Sequence, residues 1–271
     1  LRVDHPDIRH FITMKRDGVT AQNFNISVAI TDAFIEAIQN RTAYDLINPM
    51  DGAPAGQASA QEIFDLIVDS AWSNGDPGLI FIDKVNRLNP TAPQGPIRAT
   101  NPCGEQPLHD YEACNLGSIN LLNLYDEKDP DGLDWDRFRE IIQLGIRFLD
   151  DVIDVNLYPL EKIDRMAKAN RRIGLGVMGF ADLLIRCAIP YASEEARALG
   201  RKIITFLKRE AVAASRRLGE ERGSFPNIEK SVYRGQTMRN AAVLTIAPTG
   251  TISRIAGCSS SIEPIFAFEV I

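Results

Sequence analysis

The sequence of 271 residues predicts an α/β fold, and the prediction rests on the order of its expected helices and strands. Amphipathic helices alternate along the chain with short apolar segments that are typical of buried strands. The hydrophobic content of 45% and the charged content of 24% are ordinary for a globular protein. A chain of this length corresponds to one large domain or two small ones and can bury a substantial core. Disordered chains and disulfide-stapled mini-folds are therefore excluded.

The first part of the chain is predicted to alternate strand, helix and loop. Residues 28–38 predict a short strand that leads into a helix, and the prolines and glycines of residues 48–60 predict a loop. Ser59 and Glu62 have the spacing of a capping box, and Gly75 is a suitable helix end. The apolar positions of this helix follow helical spacing at Ile63, Phe64, Ile67, Val68 and Ala71.

The second part is predicted to contain two long helices and two buried strands. A turn at residues 127–132 precedes a helix, and Ser193 is predicted to cap another helix that reaches about Leu218. Residues 172–180 and 243–246 predict buried strands. The buried stripe of the first long helix is predicted to contain Phe138, Ile141, Ile142, Phe148, Leu149 and Val152.

Charge and hydropathy exclude two classes of partner. The chain carries 30 basic and 36 acidic residues, a net charge of −6, and such a surface does not favour a nucleic-acid backbone. Because it contains no run of eighteen apolar residues, we expect no membrane partner. The chain starts at Leu1, shows no signal peptide and ends in a strand-like segment at residues 268–271, so we expect an internal fragment.

The first candidate reaction centre consists of Asn101, Cys103 and Glu105. Pro102 and Gly104 flank the thiol and favour a tight loop with Cys103 at its tip. Alternate side chains of an extended loop point the same way, so a thiol, a carboxylate and an amide can converge on one ligand. The alternative is a buried cysteine in a structural turn.

A second thiol, Cys114, follows Cys103 by 11 residues. This spacing is too wide for a zinc site, and the three histidines show no ligand spacing, so no metal is predicted. A thiol pair in a cytosolic enzyme favours catalytic or redox chemistry. Cys187 and Cys258 are interpreted as small core residues.

A candidate phosphate site follows the strand predicted at residues 243–246. It is formed by Ala247, Pro248, Thr249, Gly250, Thr251, Ile252 and Ser253. Backbone N–H groups at a helix start, a glycine and three hydroxyl groups suit a phosphate, although the Walker pattern is missing. A simple helix cap and turn explains the same residues equally well.

Residues 174–179 match the G-x-G-x-x-G pattern of dinucleotide sites. Arg171 and Arg172 precede the pattern almost directly, which leaves little room for the apolar strand that such sites require. Close backbone packing is therefore the favoured interpretation, and a nicotinamide site is the alternative.

These segments together resemble the large, catalytic subunits of ribonucleotide reductases. The resemblance runs along the whole chain and is closest to the class II, adenosylcobalamin-dependent enzymes. The matching segments, in order, are residues 3–8, 74–78, 101–105, 111–120, 174–180, 247–253 and 261–264.

The resemblance implies a ten-stranded α/β barrel with the radical cysteine on a central loop, and a role for each site residue. Cys103 would carry the thiyl radical that abstracts the 3′ hydrogen of the ribose. Glu105 would take the 3′-hydroxyl proton, and Asn101 would hold the ribose. Cys114 would be one of two thiols that reduce the substrate and end as a disulfide. Residues 247–253 would bind the substrate phosphates.

The resemblance also implies a domain assignment, a cofactor and partners. Residues 1–271 would be the C-terminal part of the catalytic barrel, with its N-terminal half, an upstream redox cysteine and a C-terminal thiol tail absent. The full-length protein would use adenosylcobalamin in the cytoplasm to reduce ribonucleotides for DNA synthesis. Its partners would be nucleotide effectors, a thioredoxin-like or glutaredoxin-like reductant and a second copy of the protein in a homodimer. The isolated chain is expected to be inactive.

Three alternatives stay open. The near alternative is a class I large subunit that depends on a separate radical-generating subunit. The other two are an NAD-dependent dehydrogenase built on residues 174–179 and a non-catalytic nucleotide-binding homologue.

Overall fold

The chain, described by a computed structural model over residues 1–265, divides into two units with separate hydrophobic cores. The first unit contains residues 1–89 and 96–107, and the second contains residues 90–95 and the chain from Leu108 onward. The strand-like end expected at residues 268–271 lies outside the described residues.

The first unit packs helices around a pair of parallel strands, β1 and β4, and carries a separate antiparallel ribbon of β2 and β3. Its core is apolar and includes Val28, Ile30, Phe34, Ile63 and Ile67. Its elements are α1 (Ile8–Thr13), β1 (Ser27–Ile30), α2 (Asp32–Asn40), β2 (Ala43–Ile47), β3 (Pro54–Ser59), α3 (Ala60–Asn74), β4 (Gly78–Phe81), α4 (Ile82–Arg87) and β5 (Ala99–Thr100).

The helix starts of the first unit follow the sequence signals. The strand and helix predicted at residues 28–38 are confirmed by β1 and α2. The predicted helix start is confirmed at α3, because the Ser59 hydroxyl oxygen accepts a hydrogen bond from the N–H of Glu62 at 3.4 Å. The Glu62 carboxylate, which would complete a capping box, instead accepts from the Arg9 guanidinium. The helix ends as predicted at Gly75, whose φ of +86° is the left-handed conformation that glycine adopts without strain.

Two predictions for the first unit are wrong in part. Residues 54–59 form β3 instead of a loop, because Pro54 occupies the first position of an edge strand, where its missing N–H interrupts no interior ladder. On α3, Ile63 and Ile67 are buried, whereas Phe64 and Val68 are 36% and 48% exposed. Each exposed residue follows a buried one by a single position, about 100° around the helix, and so lies at the edge of the stripe.

The second unit places its core between two long helices and the parallel strand pair β7–β8. Residues 107–108 form the short strand β6, and this strand pairs with β5. The elements are β6 (Pro107–Leu108), β7 (Asn115–Asn120), α5 (Trp135–Val155), α6 (Glu161–Asn170), β8 (Ile173–Met178), α7 (Phe180–Arg186), α8 (Glu194–Arg222) and α9 (Gly250–Ala256).

Both predicted long helices are confirmed. Ser193 caps α8 through a 3.0 Å hydrogen bond from the N–H of Ala196, and the helix continues past Leu218 to Arg222. On α5 the buried side runs through residues 138, 142, 146, 149 and 153. Phe148 was predicted to be buried and is 63% exposed, because it is one position out of that stripe. No helix within residues 1–265 is long and apolar enough to cross a membrane.

The buried strand predicted at residues 172–180 is confirmed as β8, in which all six residues are buried. The G-x-G-x-x-G pattern therefore lies largely inside a strand, whereas a dinucleotide site needs it in the turn after one. A Cβ on Gly176 would lie 2.4 Å from the carbonyl oxygen of Thr245, so this glycine permits close backbone packing.

The strand predicted at residues 243–246 is shorter than expected. The segment runs parallel to β8 through a single bridge between Leu244 and Leu175. The N–H of Leu175 donates to the carbonyl of Val243 at 2.9 Å, and the N–H of Thr245 donates to the carbonyl of Leu175 at 3.2 Å.

Mixed α/β architecture is thus confirmed. Across residues 1–265 the strands form four sheets of two strands each, and no closed barrel is present in this part of the chain.

Candidate active site

The loop that carries Asn101, Cys103 and Glu105 is a tight turn in the first unit. The N–H of Asn101 donates to the carbonyl of Gln106 at 3.1 Å, and the N–H of Gly104 donates to the carbonyl of Asn101 at 3.1 Å. Gly104 has a φ of +88°, which closes the turn without strain. The thiol of Cys103 is exposed, and Glu105 is half-buried. The predicted exposed thiol at a loop tip is present in the structure.

Asn101 organises this turn. Its side-chain Oδ1 accepts a hydrogen bond from the N–H of Gln106 at 2.9 Å. The side-chain amide of Asn101 can donate only from Nδ2, which this bond does not use.

Two cavities of the first unit reach this loop. One has a volume of about 730 Å³ and is lined by Asn101 and Pro102 together with Asn25, Ser27 and Arg98 among others. The other has a volume of about 340 Å³ and is lined by Gly104 and Pro107 together with apolar side chains and Lys84. The loop is therefore accessible to a small molecule from two cavities, the larger of which has both polar and apolar side chains in its lining.

Cys114 belongs to the second unit and directly precedes β7. The thiol is half-buried, and its Sγ donates to the carbonyl of Asn115 at 3.5 Å. Asn115 is the first residue of the strand and is the register partner of Ile173 at the start of β8.

A closed ring of buried polar side chains lies next to Cys114. It joins Thr91, His109, Glu112 and Arg172, which we call the buried ring. Each of the four residues is at most 8% exposed. His109 Nε2 lies 2.8 Å from Thr91 Oγ1, and Arg172 Nη2 donates to the same hydroxyl oxygen at 3.2 Å. The N–H of His109 donates to Glu112 Oε2 at 2.9 Å.

The ring is closed by Arg172 and Glu112. Arg172 Nε lies 3.0 Å from Glu112 Oε1 as an ion pair, although this N–H lacks hydrogen-bond geometry toward the carboxylate. Asn170 Nδ2 donates to the same Glu112 oxygen at 2.7 Å. Burial lowers the pKa of His109, an effect that Arg172 reinforces and Glu112 opposes, so a neutral imidazole is favoured.

Sequence reasoning missed the buried ring. His109 was considered only as a metal ligand, and Arg172 only as the residue before a glycine pattern and the start of a predicted strand. The available signal was a charged residue, Arg172, at the first position of a segment predicted to be a buried strand.

The candidate phosphate segment of the second unit is ordered by the residues that follow it. The N–H of Ser261 donates to Thr249 Oγ1 at 2.7 Å, and Ser253 Oγ lies 2.9 Å from Ser260 Oγ. Thr249 and Ser253 are buried, whereas Gly250 and Thr251 are exposed. The accessible part of the segment is therefore the backbone at the start of α9 and the Thr251 hydroxyl.

The other cysteines have structural surroundings. Cys187 Sγ donates to the carbonyl of Asp131 at 3.9 Å, and Cys258 lies against Gly179. Burial raises the pKa of both thiols, and neighbouring carboxylates raise it further. No group of three or more acidic, histidine or cysteine side chains within residues 1–265 is arranged to hold a metal ion.

Asn101, Cys103 and Glu105 lie in one loop of the first unit, and that loop is a tight turn where an extended segment with alternating side chains was expected. Cys114 and residues 247–253 belong to the second unit.

Comparisons with known proteins agree with this set of segments. The family model for the ribonucleotide reductase barrel domain matches residues 1–238 and 234–269. A vitamin B12-dependent ribonucleoside-diphosphate reductase of Thermoplasma acidophilum is 51% identical over 274 aligned positions, which cover 100% of this chain and 35% of the relative. A protein of the same description from Mycobacterium tuberculosis is 49% identical, with 98% of this chain and 38% of the relative covered.

More distant relatives carry related names. The ribonucleoside-diphosphate reductase subunit alpha of Chlamydia muridarum is 29% identical, with 98% of this chain and 32% of the relative covered. The chain thus spans between about a third and two fifths of the length of these relatives. Because the family model matches the chain almost from end to end, the chain belongs to the family of the ribonucleotide reductase barrel domain.

Proposed function

We propose that the protein containing this chain reduces ribonucleotides to 2′-deoxyribonucleotides by thiyl-radical chemistry, for DNA synthesis. The observation that carries the proposal is the loop that presents Cys103 at an exposed tip between Asn101 and Glu105. Radical abstraction requires a sulfur held close to one C–H bond, and a tight turn beside two cavities can provide that approach.

Asn101, Cys103 and Glu105 each have one role in the proposed reaction. Cys103 Sγ takes the 3′ hydrogen atom of the ribose as a thiyl radical and returns it at the end of the reaction. Glu105 accepts the 3′-hydroxyl proton, which eases departure of the 2′-hydroxyl as water. Asn101 donates from Nδ2 to a ribose oxygen, while its Oδ1 accepts the Gln106 N–H within the turn.

Cys114 supplies reducing equivalents. Two thiols lose two electrons and two protons and become a disulfide, while the ribonucleotide loses its 2′ oxygen as water. Cys187 Sγ donates to the carbonyl of Asp131 and Cys258 lies against Gly179, so both have structural surroundings of their own. The second thiol is therefore proposed to come from another part of the protein.

The substrate phosphates are proposed to bind at residues 247–253. The exposed backbone at Gly250 and Thr251 supports this role, and the bonds of Thr249 and Ser253 to the serines that follow would keep the segment in shape.

Adenosylcobalamin is the proposed cofactor, as the names of the relatives from Thermoplasma and Mycobacterium suggest. The exposed position of Cys103 on its loop supports access of such a group to the thiol. Phe11, Met14 and Phe24 line the larger cavity beside that loop and would hold apolar parts of the cofactor. When bound, the cofactor supplies the one-electron chemistry that converts a thiol into a thiyl radical.

The remaining assignments concern the intact protein. Residues 1–271 are proposed to be the C-terminal part of a ten-stranded barrel whose other strands lie elsewhere in the protein. Nucleotide effectors, a thioredoxin-like or glutaredoxin-like reductant and a second copy are its proposed partners, and the cytoplasm is its proposed location.

The test is deoxynucleotide formation by the intact protein with adenosylcobalamin, a ribonucleotide and a dithiol reductant. Cys103→Ser should abolish product, whereas Cys187→Ser should retain most of the activity. Product from Cys103→Ser would contradict the proposal. Product from the unaltered protein only when a second, radical-generating subunit replaces the cofactor would favour the class I alternative.

A further inference from the structure

The segment that leads to Cys114 is irregular and yet firmly attached. Residues 109–114 contain neither helix nor strand, and Tyr111 adopts a φ of +62°, which is uncommon for a residue with a side chain. Lys162 Nζ lies 5.1 Å from the centre of the Tyr111 ring. Without further attachment, such a segment would open easily.

Two adjacent residues of the chain hold this segment on both sides of Cys114. Glu112, two positions before the thiol, pairs with Arg172 through its side chain. Asn115, one position after the thiol, pairs with Ile173 through the strand ladder. The sulfur therefore lies between two attachments to residues 172 and 173.

We propose that the buried ring positions the Cys114 thiol for its redox step, with Glu112 and Arg172 as positioning residues and Thr91 as the bridge between Arg172 and His109. This inference rests on the proposed redox role of Cys114. The ring residues act through the backbone of the segment and need not touch the substrate.

The chemistry of the ring supports a positioning role over a purely stabilising one. A buried ion pair loses much of its attraction to the desolvation of its two charges, and apolar residues of similar volume often stabilise a fold as well. Hydrogen bonds between charged and neutral groups, in contrast, fix direction. The extra bond from Asn170 Nδ2 to Glu112 Oε1 restrains the carboxylate in the same way.

The inference is tested by the alkylation rate of Cys114 in the intact protein, followed by peptide mass spectrometry with Cys103 as the internal reference. Glu112→Gln removes the charge and one acceptor, and Thr91→Val removes the bridging hydroxyl. Thr91→Ser keeps that hydroxyl and serves as the rescue variant. Asp110→Asn, an exposed acid of the same segment, is the matched control.

Alkylation of Cys114 should accelerate about tenfold in Glu112→Gln and about threefold in Thr91→Val, since the segment opens more often. Thr91→Ser and Asp110→Asn should stay near the unaltered rate, and Cys103 should not respond in any variant. In turnover, kcat should fall in Glu112→Gln and Thr91→Val while KM for the ribonucleotide stays constant.

Unchanged Cys114 reactivity in Thr91→Val, or equal acceleration in Asp110→Asn, would overturn the inference. Thr91→Val decides the question if Glu112→Gln fails to fold. The proposed function fails by a different result, namely product formation by Cys103→Ser, and the alkylation measurement does not depend on turnover.

Discussion

The two proposed reactive thiols are held in contrasting ways. Cys103 is exposed at the tip of a turn that is closed by backbone hydrogen bonds and one asparagine side chain. Cys114 is half-buried, and its segment is attached through a ring of buried charged and polar groups. The difference corresponds to their proposed tasks, because Cys103 must meet a cofactor and a substrate, whereas Cys114 must reduce the substrate and then form a disulfide with one second thiol.

The largest expected effect is a difference in lost stability between the buried ring and the Cys103 turn. Glu112→Ala leaves the buried Arg172 guanidinium without its counter-charge and should lower the free energy of unfolding by about 3–5 kcal/mol. Asn101→Ala removes one neutral hydrogen bond of the turn and should cost about 1 kcal/mol. Urea unfolding of both variants measures the difference, and equal losses would contradict the contrast.

A smaller effect is expected at the strand that follows Arg172. Gly176→Ala would place a Cβ 2.4 Å from the carbonyl oxygen of Thr245, and the forced shift should cost about 1–3 kcal/mol. Gly117→Ala is the matched control on the neighbouring strand, because its nearest contact would be an ordinary 3.5 Å to Leu149. Thermal unfolding should show a loss for Gly176→Ala alone, and a comparable loss for Gly117→Ala would show that any β-carbon in this strand pair is harmful.

The buried ring should also give the second unit a pH dependence. The pKa of His109 is lowered by burial, so the unfolded chain binds a proton at a higher pH than the folded chain does. Stability should therefore fall as pH decreases from about 6.5 toward the lower folded-state pKa, by at most about 1.4 kcal/mol per pH unit. Unfolding midpoints between pH 5 and pH 8 measure the slope, and His109→Gln should reduce it. An unchanged slope in that variant would contradict the assignment.

The smallest effect is expected in the Cys103 turn. Gly104→Ala introduces strain at a φ of +88° but meets no atom within 4 Å, so the stability loss should be about 1 kcal/mol. The Cys114 alkylation rate should stay unchanged, because the buried ring is not involved. A marked rise at Cys114 would show that the two regions are coupled.

Local signals in the sequence predicted the long helices α3, α5 and α8. Ser59 and Ser193 marked helix starts, and the apolar spacing after residue 134 marked α5, because capping and periodicity are encoded by neighbours in the chain. The same reasoning was wrong at Pro54 and Phe148. Whether a proline lies at a strand edge, or an aromatic ring faces a partner, depends on tertiary neighbours.

Only part of the candidate site could be predicted from the sequence. The motif from Asn101 to Glu105 was found because all of its members are adjacent in sequence. The buried ring was missed because Thr91 and Arg172 are 81 positions apart in the chain, and no local sequence pattern indicates a contact between residues so far apart. The occupation of Asn101 Oδ1 by the turn also became visible only in the structure.

The central claim is that Cys103 carries the radical and Cys114 supplies reducing equivalents. Its most direct test is a count of oxidised thiols after a single turnover. The reduced intact protein would be supplied with adenosylcobalamin and a ribonucleotide, without added reductant, and its thiols would be alkylated and mapped. Cys114 should lose its free thiol in proportion to the deoxynucleotide formed, while Cys103 remains reduced. Oxidation of Cys103 with Cys114 still free, or product without oxidation of Cys114, would contradict the account.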